Sequence, residues 1–171
     1  GNEKARHKIA TPAGDYAGTI QAITDLVAIL EQLSNLKHNE TPVGIGIPGT
    51  VSPATSLIKN ANSTCLIGQD MNRDLAKALK RPVRLANDAN CFTVSEATDG
   101  AGAGANLVFG VILGTGVGGC LAIKGKAIKG INGITGEWGH NPLPWATDNE
   151  RPGPQCYCGL KGCIETFLSG P

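Results

Sequence analysis

Three cysteines crowd into eight residues, Cys156-x-Cys158-x4-Cys163, and His140 lies sixteen residues before the first of them. Thiols spaced that closely restrict the local fold more than any other feature of the chain. Six cysteines would allow disulfides in a secreted protein. The opening stretch GNEKARHKIATP has no apolar region of a signal peptide, however, and no window reaches the ~18 continuous apolar residues of a membrane helix. A cytoplasmic chain is expected, and in a reducing compartment the cluster points to a metal. Three thiolates and an imidazole make a closed tetrahedral zinc set with no open position, which implies a structural role. Three reduced buried cysteines, or a redox pair at the surface, are the competing readings, and Cys-x-Cys is tighter than the common Cys-x2-Cys.

The 15 Lys and Arg nearly balance 14 Asp and Glu, a net charge of +1. This argues against nucleic acid or a membrane surface as the main partner. A content of 41% hydrophobic and 17% charged residues is globular and excludes disorder over the whole length. The 24 glycines predict many tight turns and close backbone approaches.

Apolar residues at Tyr16, Ile20, Ile23, Val27, Leu30 and Leu33 predict an amphipathic helix of about five turns. It stops in the polar stretch from Asn35 to Thr41. Val43–Ile47 reads as a short buried strand closed by Pro48-Gly49, Asp70 to Leu79 as a second helix, and Pro82 to Ala86 as a second strand. A third helix runs from Ala89 to about Thr98. Helices alternating with short strands imply an α/β sheet. The run from Asp99 to Ala105, glycine alternating with alanine, reads as a linker or hinge. Beyond it Leu107–Leu113, a Gly114-Thr115-Gly116 turn, Val117–Ile123 and a Lys124-Gly125-Lys126 turn predict a β-meander.

Asn87-Asp88 falls at the carboxyl end of a strand, where ligands collect in open α/β sheets. Taken alone, an Asn-Asp pair there is more often the N-cap of the next helix. Gly114-Thr115-Gly116-Val117-Gly118-Gly119 offers backbone amides and a hydroxyl to phosphate oxygens. With a strand instead of a helix after it, it is neither a Rossmann fingerprint nor a P-loop, and a ligand-free hairpin fits equally well. Glu137 and Glu165 each sit beside a proposed zinc ligand, and a carboxylate can accept from two sugar hydroxyls at once. A metal joining His140 to the cysteines would bring these two acids into one neighbourhood.

Together these segments resemble one family. Leu85-Ala-Asn-Asp-Ala-Asn-Cys91, Leu113-Gly-Thr-Gly-Val-Gly-Gly119, Gly136-Glu-Trp-Gly-His140 and Cys156-Tyr-Cys-Gly-Leu-Lys-Gly-Cys-Ile-Glu165 are similar, in order and spacing, to the motif series of the ROK family of bacterial sugar kinases and repressors. Lys59-Asn-Ala-Asn-Ser-Thr64 and Gly139-His-Asn-Pro-Leu-Pro-Trp145 look most like its fructokinase branch. The resemblance implies an α/β, two-lobed actin-like ATPase fold related to ribonuclease H, and ATP-dependent phosphorylation of a hexose, expected to be fructose. Asp88 would be the general base. Asn87, Asp88, Glu137, His140 and Glu165 would hold the sugar, His140 with one ring nitrogen on zinc and its other edge toward the substrate. Gly114, Thr115, Gly116 and Gly118 would lie against the phosphates of ATP, with magnesium between them. Zinc would be held by His140, Cys156, Cys158 and Cys163, and the complete protein is expected to be a homodimer.

Against the family pattern, the first phosphate loop, Asp-x-Gly-Gly-Thr, is missing, as are the carboxyl-terminal helices. The expectation is therefore an internal fragment: residues 1–103 carry most of the amino-terminal lobe without its first strand pair, and 104–171 open the carboxyl-terminal lobe with the zinc-binding segment. Kinases for N-acetylglucosamine, N-acetylmannosamine or glucose, and a sugar-sensing repressor, are the alternatives within the family. A zinc-ribbon interaction module is the alternative outside it.

Overall fold

The computed structural model describes residues 2–37 and 41–171. Its contacts divide the chain into two compact units, Gly1–Asp88 and Ala89–Pro171.

In the first unit, Asp15 caps α1 (Tyr16–Leu33) by accepting from the Gly18 amide, the side-chain bond an N-cap makes to satisfy an orphan helix donor. The apolar stripe anticipated on this helix faces inward, with Tyr16, Ile20, Ile23 and Val27 packed on the core. Of the polar stretch expected to end the helix, 38–40 lie outside the described residues. Strand β1 (Val43–Ile47) pairs in parallel with β4 (Val83–Asn87), Val43 opposite Val83 and Ile47 opposite Asn87. Expected to be buried throughout, β1 is covered on one face only: Gly44 and Gly46 are exposed. Two further strands were not anticipated, β2 (Thr50–Val51) and β3 (Ile58–Lys59), which form an antiparallel ladder. Helix α2 (Met71–Leu79) is capped by Asp70, which accepts from the Arg73 amide.

The core of this unit runs through Ile47, Ile58, Leu66, Met71, Leu75, Leu79 and Val83. Two polar ties join α1 to the α2 region. The Tyr16 hydroxyl donates to Asp74 at 2.8 Å, and Arg81 forms a buried ion pair with Glu31 while also donating to the Thr41 carbonyl.

The chain leaves β4 directly into α3 (Asp88–Asp99). In the second unit β5 (Leu107–Leu113), β6 (Val117–Ile123) and β7 (Lys126–Ala127) form the expected antiparallel meander, with Leu113 opposite Val117 around the glycine turn. Thr93 of α3 is fully buried against β5, and a Cβ on Gly110 would fall 2.0 Å from its hydroxyl. That packing puts α3 in the same compact unit as the meander, with the contact boundary after Asp88. The expected hinge is a tight turn: the Ala101 amide donates to the Glu96 carboxylate and the Gly102 amide to the Glu96 carbonyl. Gly102 serves close packing, since a Cβ there would meet Val108 at 2.8 Å, and Gly104 serves the turn itself at φ +83°.

After β7 the chain is mostly loop. Trp138 anchors it by donating from Nε1 to the Gly118 carbonyl and meeting Phe109 edge to face at 6.4 Å. A single-turn helix, α4 (Glu165–Leu168), follows the last cysteine.

Candidate functional site

Parallel pairing of β1 and β4 brings two strand ends together in the first unit, Pro48-Gly49 beyond one and Asn87-Asp88 at the other. The Asn87 amide donates to the Gly49 carbonyl at 3.0 Å and to the Asp88 carboxylate at 3.1 Å. Asn87 therefore braces Asp88, which is the first residue of α3. Gly49 is required here: at φ +83° its Cβ would lie 2.6 Å from the Lys59 carbonyl oxygen, a conformation and a closeness that only glycine tolerates. The sequence marked Gly49 only as the end of a strand. A cavity of about 370 Å³ elsewhere in this unit is lined by Pro12, Gly46, Asn62 and Thr64 among others, and by none of the expected site residues.

In the second unit, backbone pairing threads the segment 139–142 against 163–165. Pro142 bridges Cys163, Ile164 donates to the Asn141 carbonyl, and Glu165 donates to the Gly139 carbonyl at 2.8 Å. This sets His140 beside the third cysteine. The tight Cys-x-Cys spacing is accommodated by a turn in which Cys156 donates to Leu160 and Gly159 to Cys156, with Gly159 at φ +91° reversing the chain.

As a result the ligand atoms of His140, Cys156, Cys158 and Cys163 all lie within 4.8 Å of one another. The Cys158 and Cys163 sulfurs are 3.7 Å apart, and the Cys156 sulfur is 3.5 Å from His140 Nδ1. A tetrahedral zinc with ordinary bond lengths has S···S and S···N edges of about 3.8 and about 3.5 Å, which these two pairs match, and three thiols with one imidazole are a donor set suited to that metal. Cys156 and Cys163 are buried, Cys158 and His140 exposed. Burial, and then the adjacent thiols, push Cys163 up to about 12, while a backbone bond at Leu160 holds Cys158 below the usual thiol range. Thiolates crowded in this way favour a divalent cation, which stabilises the ionised form.

Glu165 is 7% exposed. Its carboxylate accepts from the Val117 amide at 2.8 Å, tying the glycine turn to the cysteine segment across 48 residues of sequence. Gly139 must be glycine for this arrangement, because its Cβ would fall 2.4 Å from the Val117 carbonyl oxygen and 3.0 Å from Glu165. His140 turns Nδ1 toward the sulfurs, and its Nε2 lies 3.1 Å from the Tyr157 hydroxyl. The two rings meet edge to face with centroids 5.0 Å apart. Partial desolvation and then the Glu165 carboxylate push the Tyr157 phenol up to about 12. Tyr157 was not singled out from the sequence. The structure thus joins His140, Glu165, Tyr157 and the cysteines, while Glu137 is exposed on the loop three residues before His140.

The glycine turn is partly engaged. Gly114 donates to Gly116, its carbonyl accepts from Gly170, and Val117 donates to Glu165. Thr115 and Gly116, whose amides take no part in these bonds, form the tip. Gly118 lies within β6 opposite Ile112.

The ROK family model matches residues 1–171. The chain belongs to the ROK family. It is 43% identical over 167 residues to an N-acetyl-D-glucosamine kinase of Citrobacter koseri, a match that covers 95% of this chain and 54% of that protein. A ROK hexokinase from Thermus thermophilus superposes with a TM-score of 0.74 at 28% identity, over 95% of this chain and 50% of that one. A ROK glucokinase from Streptomyces griseus, solved with glucose and AMPPNP, gives 0.76 at 31%, over 96% and 49%. This ROK chain therefore spans about half the length of the curated relatives it matches, and its α/β structure is part of an actin-like ATPase fold. The relatives do not support the fructokinase likeness drawn from Lys59–Thr64 and Gly139–Trp145: the curated kinases at 42 to 43% identity are named for N-acetyl-D-glucosamine. Among the described residues, no helix is long and apolar enough to cross a membrane.

Proposed function

We propose that the full-length protein phosphorylates N-acetyl-D-glucosamine at the expense of ATP. The observation that carries this reading is the 43% identity over 95% of the chain to a kinase of that sugar, and it replaces fructose as the expected substrate. Asp88 acts as the general base, taking the proton of the attacking sugar hydroxyl through its carboxylate while Asn87 holds that carboxylate in place. Glu137, His140 and Glu165 orient the sugar ring, and Thr115 and Gly116 present their amides to phosphate. Phosphoryl transfer suits such a site because it relies on positioning and charge neutralisation. Magnesium bound with ATP supplies the neutralising charge.

Zinc is held by His140, Cys156, Cys158 and Cys163 and keeps the segments around His140 and Glu165 together; it takes no part in the chemistry. The division into lobes at 103/104, a cytoplasmic location and a homodimer belong to the same reading. A coupled ADP-release assay of the full-length protein on N-acetylglucosamine, N-acetylmannosamine, glucose and fructose tests it. The highest kcat/KM is expected for N-acetylglucosamine, and a higher value for fructose would overturn the substrate assignment.

A further inference from the structure

His140 has two ring nitrogens with different tasks. Nδ1 faces Cys156 Sγ at 3.5 Å, as a metal ligand would, which leaves Nε2 as the polar edge turned away from the cluster. That edge is occupied by the Tyr157 hydroxyl at 3.1 Å. The phenol oxygen thus meets a nitrogen that the proposed function assigns to a sugar hydroxyl, with the donor and acceptor capacity of a sugar hydroxyl. Tyr157 is also free to leave. The residue is 74% exposed, and it lies between Cys156 and Cys158 in the sequence.

We propose that Tyr157 is a displaceable occupant of the sugar site, its hydroxyl standing on His140 Nε2 until a sugar hydroxyl replaces it. The inference rests on the reading of His140 and Glu165 as sugar ligands. The hydroxyl covers that ring nitrogen and makes every incoming sugar compete for it. Tyr157 therefore tunes affinity, as a selectable resistance to weakly binding sugars, without contacting the reacting atoms. A sugar with a hydroxyl placed to bond Nε2 displaces it more readily than one without.

Titration calorimetry of N-acetylglucosamine into zinc-loaded full-length protein tests this, with wild type, Tyr157→Phe and Glu165→Gln compared and zinc content measured for each. Tyr157→Phe keeps the ring and removes the competitor, so binding should tighten about 3- to 10-fold, while Glu165→Gln weakens it. A crystal structure of the sugar complex should show Tyr157 turned away and a sugar hydroxyl within hydrogen-bond distance of Nε2. Unchanged or weaker binding by Tyr157→Phe, or a complex in which the phenol stays on His140, overturns the proposal while Glu165→Gln still marks the sugar site. If Glu165→Gln binds as wild type does, the sugar-site reading fails, and this proposal with it.

Discussion

The two units hold their functional residues by different means. Asn87 and Asp88 stand at the edge of a conventional apolar core in which Leu75 is fully buried and Ile47, Ile58 and Met71 are each 2% exposed. His140 and Glu165 stand in a loop region where Cys156, Cys163 and Ile164 are the buried apolar residues, and close glycines, backbone pairings and the cluster of three cysteines with His140 bring the segments together. A core of the first kind is insensitive to any single polar contact, since its stability is spread over many apolar neighbours. A region of the second kind fails when one ligand or one glycine is changed. The two halves of the proposed machinery should therefore break independently.

The largest separation should come from the metal. Removing zinc with a strong chelator, or replacing Cys163 by Ser, should unravel 139–165 and abolish measurable sugar binding, because structural zinc contributes about 10 kcal/mol or more. Hydrogen exchange should show protection lost around His140 and Glu165 and retained in β1, β4 and α2. Protection unchanged in both regions would mean that the cysteine cluster does not organise the loop.

The reverse experiment is smaller. Leu75→Ala should destabilise the first unit by about 3 kcal/mol, read from denaturant unfolding, with zinc content unchanged. Loss of zinc in this variant would erase the distinction between the two regions.

The smallest effect concerns the tie between α1 and α2. Tyr16→Phe should cost about 1 kcal/mol. The Tyr16 bond, and then Arg73, hold Asp74 below its ordinary carboxylate range, so this stability is fully present above the pKa of an unfolded aspartate and lost as pH falls through the folded value. Unfolding of Tyr16→Phe should consequently show a flatter pH dependence on the acid side than wild type; parallel curves would contradict the assignment.

How much of this could be read from the sequence follows the same divide. The α1 stripe, the β5–β6 hairpin and the Asp70 start of α2 are local patterns, written in periodicity and turn chemistry. The two-residue strands Thr50–Val51 and Ile58–Lys59 are too short to carry a period. The Glu31–Arg81 ion pair and the Glu165 bond to Val117 join residues 50 and 48 apart, a distance over which no local rule operates. The glycines from 100 to 104 misled because composition reports only backbone freedom: Gly104 uses it, at φ +83° with open space around it, whereas the missing side chains of Gly100 and Gly102 make room for Glu96 and Val108. The cluster of His140, Cys156, Cys158 and Cys163 was legible because cysteine and histidine seldom crowd together in a sequence without meeting in the fold. Tyr157 was hidden by the same motif, as the residue between two ligands.

The central claim is that Asp88 performs proton transfer in a sugar kinase and that the second unit holds the sugar. Its most direct test is Asp88→Asn in the full-length protein, with ADP release and sugar binding measured side by side. The substitution keeps the shape and removes proton acceptance, so kcat should fall by ~10²-fold or more while the dissociation constant for N-acetylglucosamine changes by less than about threefold. Near-normal turnover would contradict the account, leaving Asp88 as no more than the first residue of its helix.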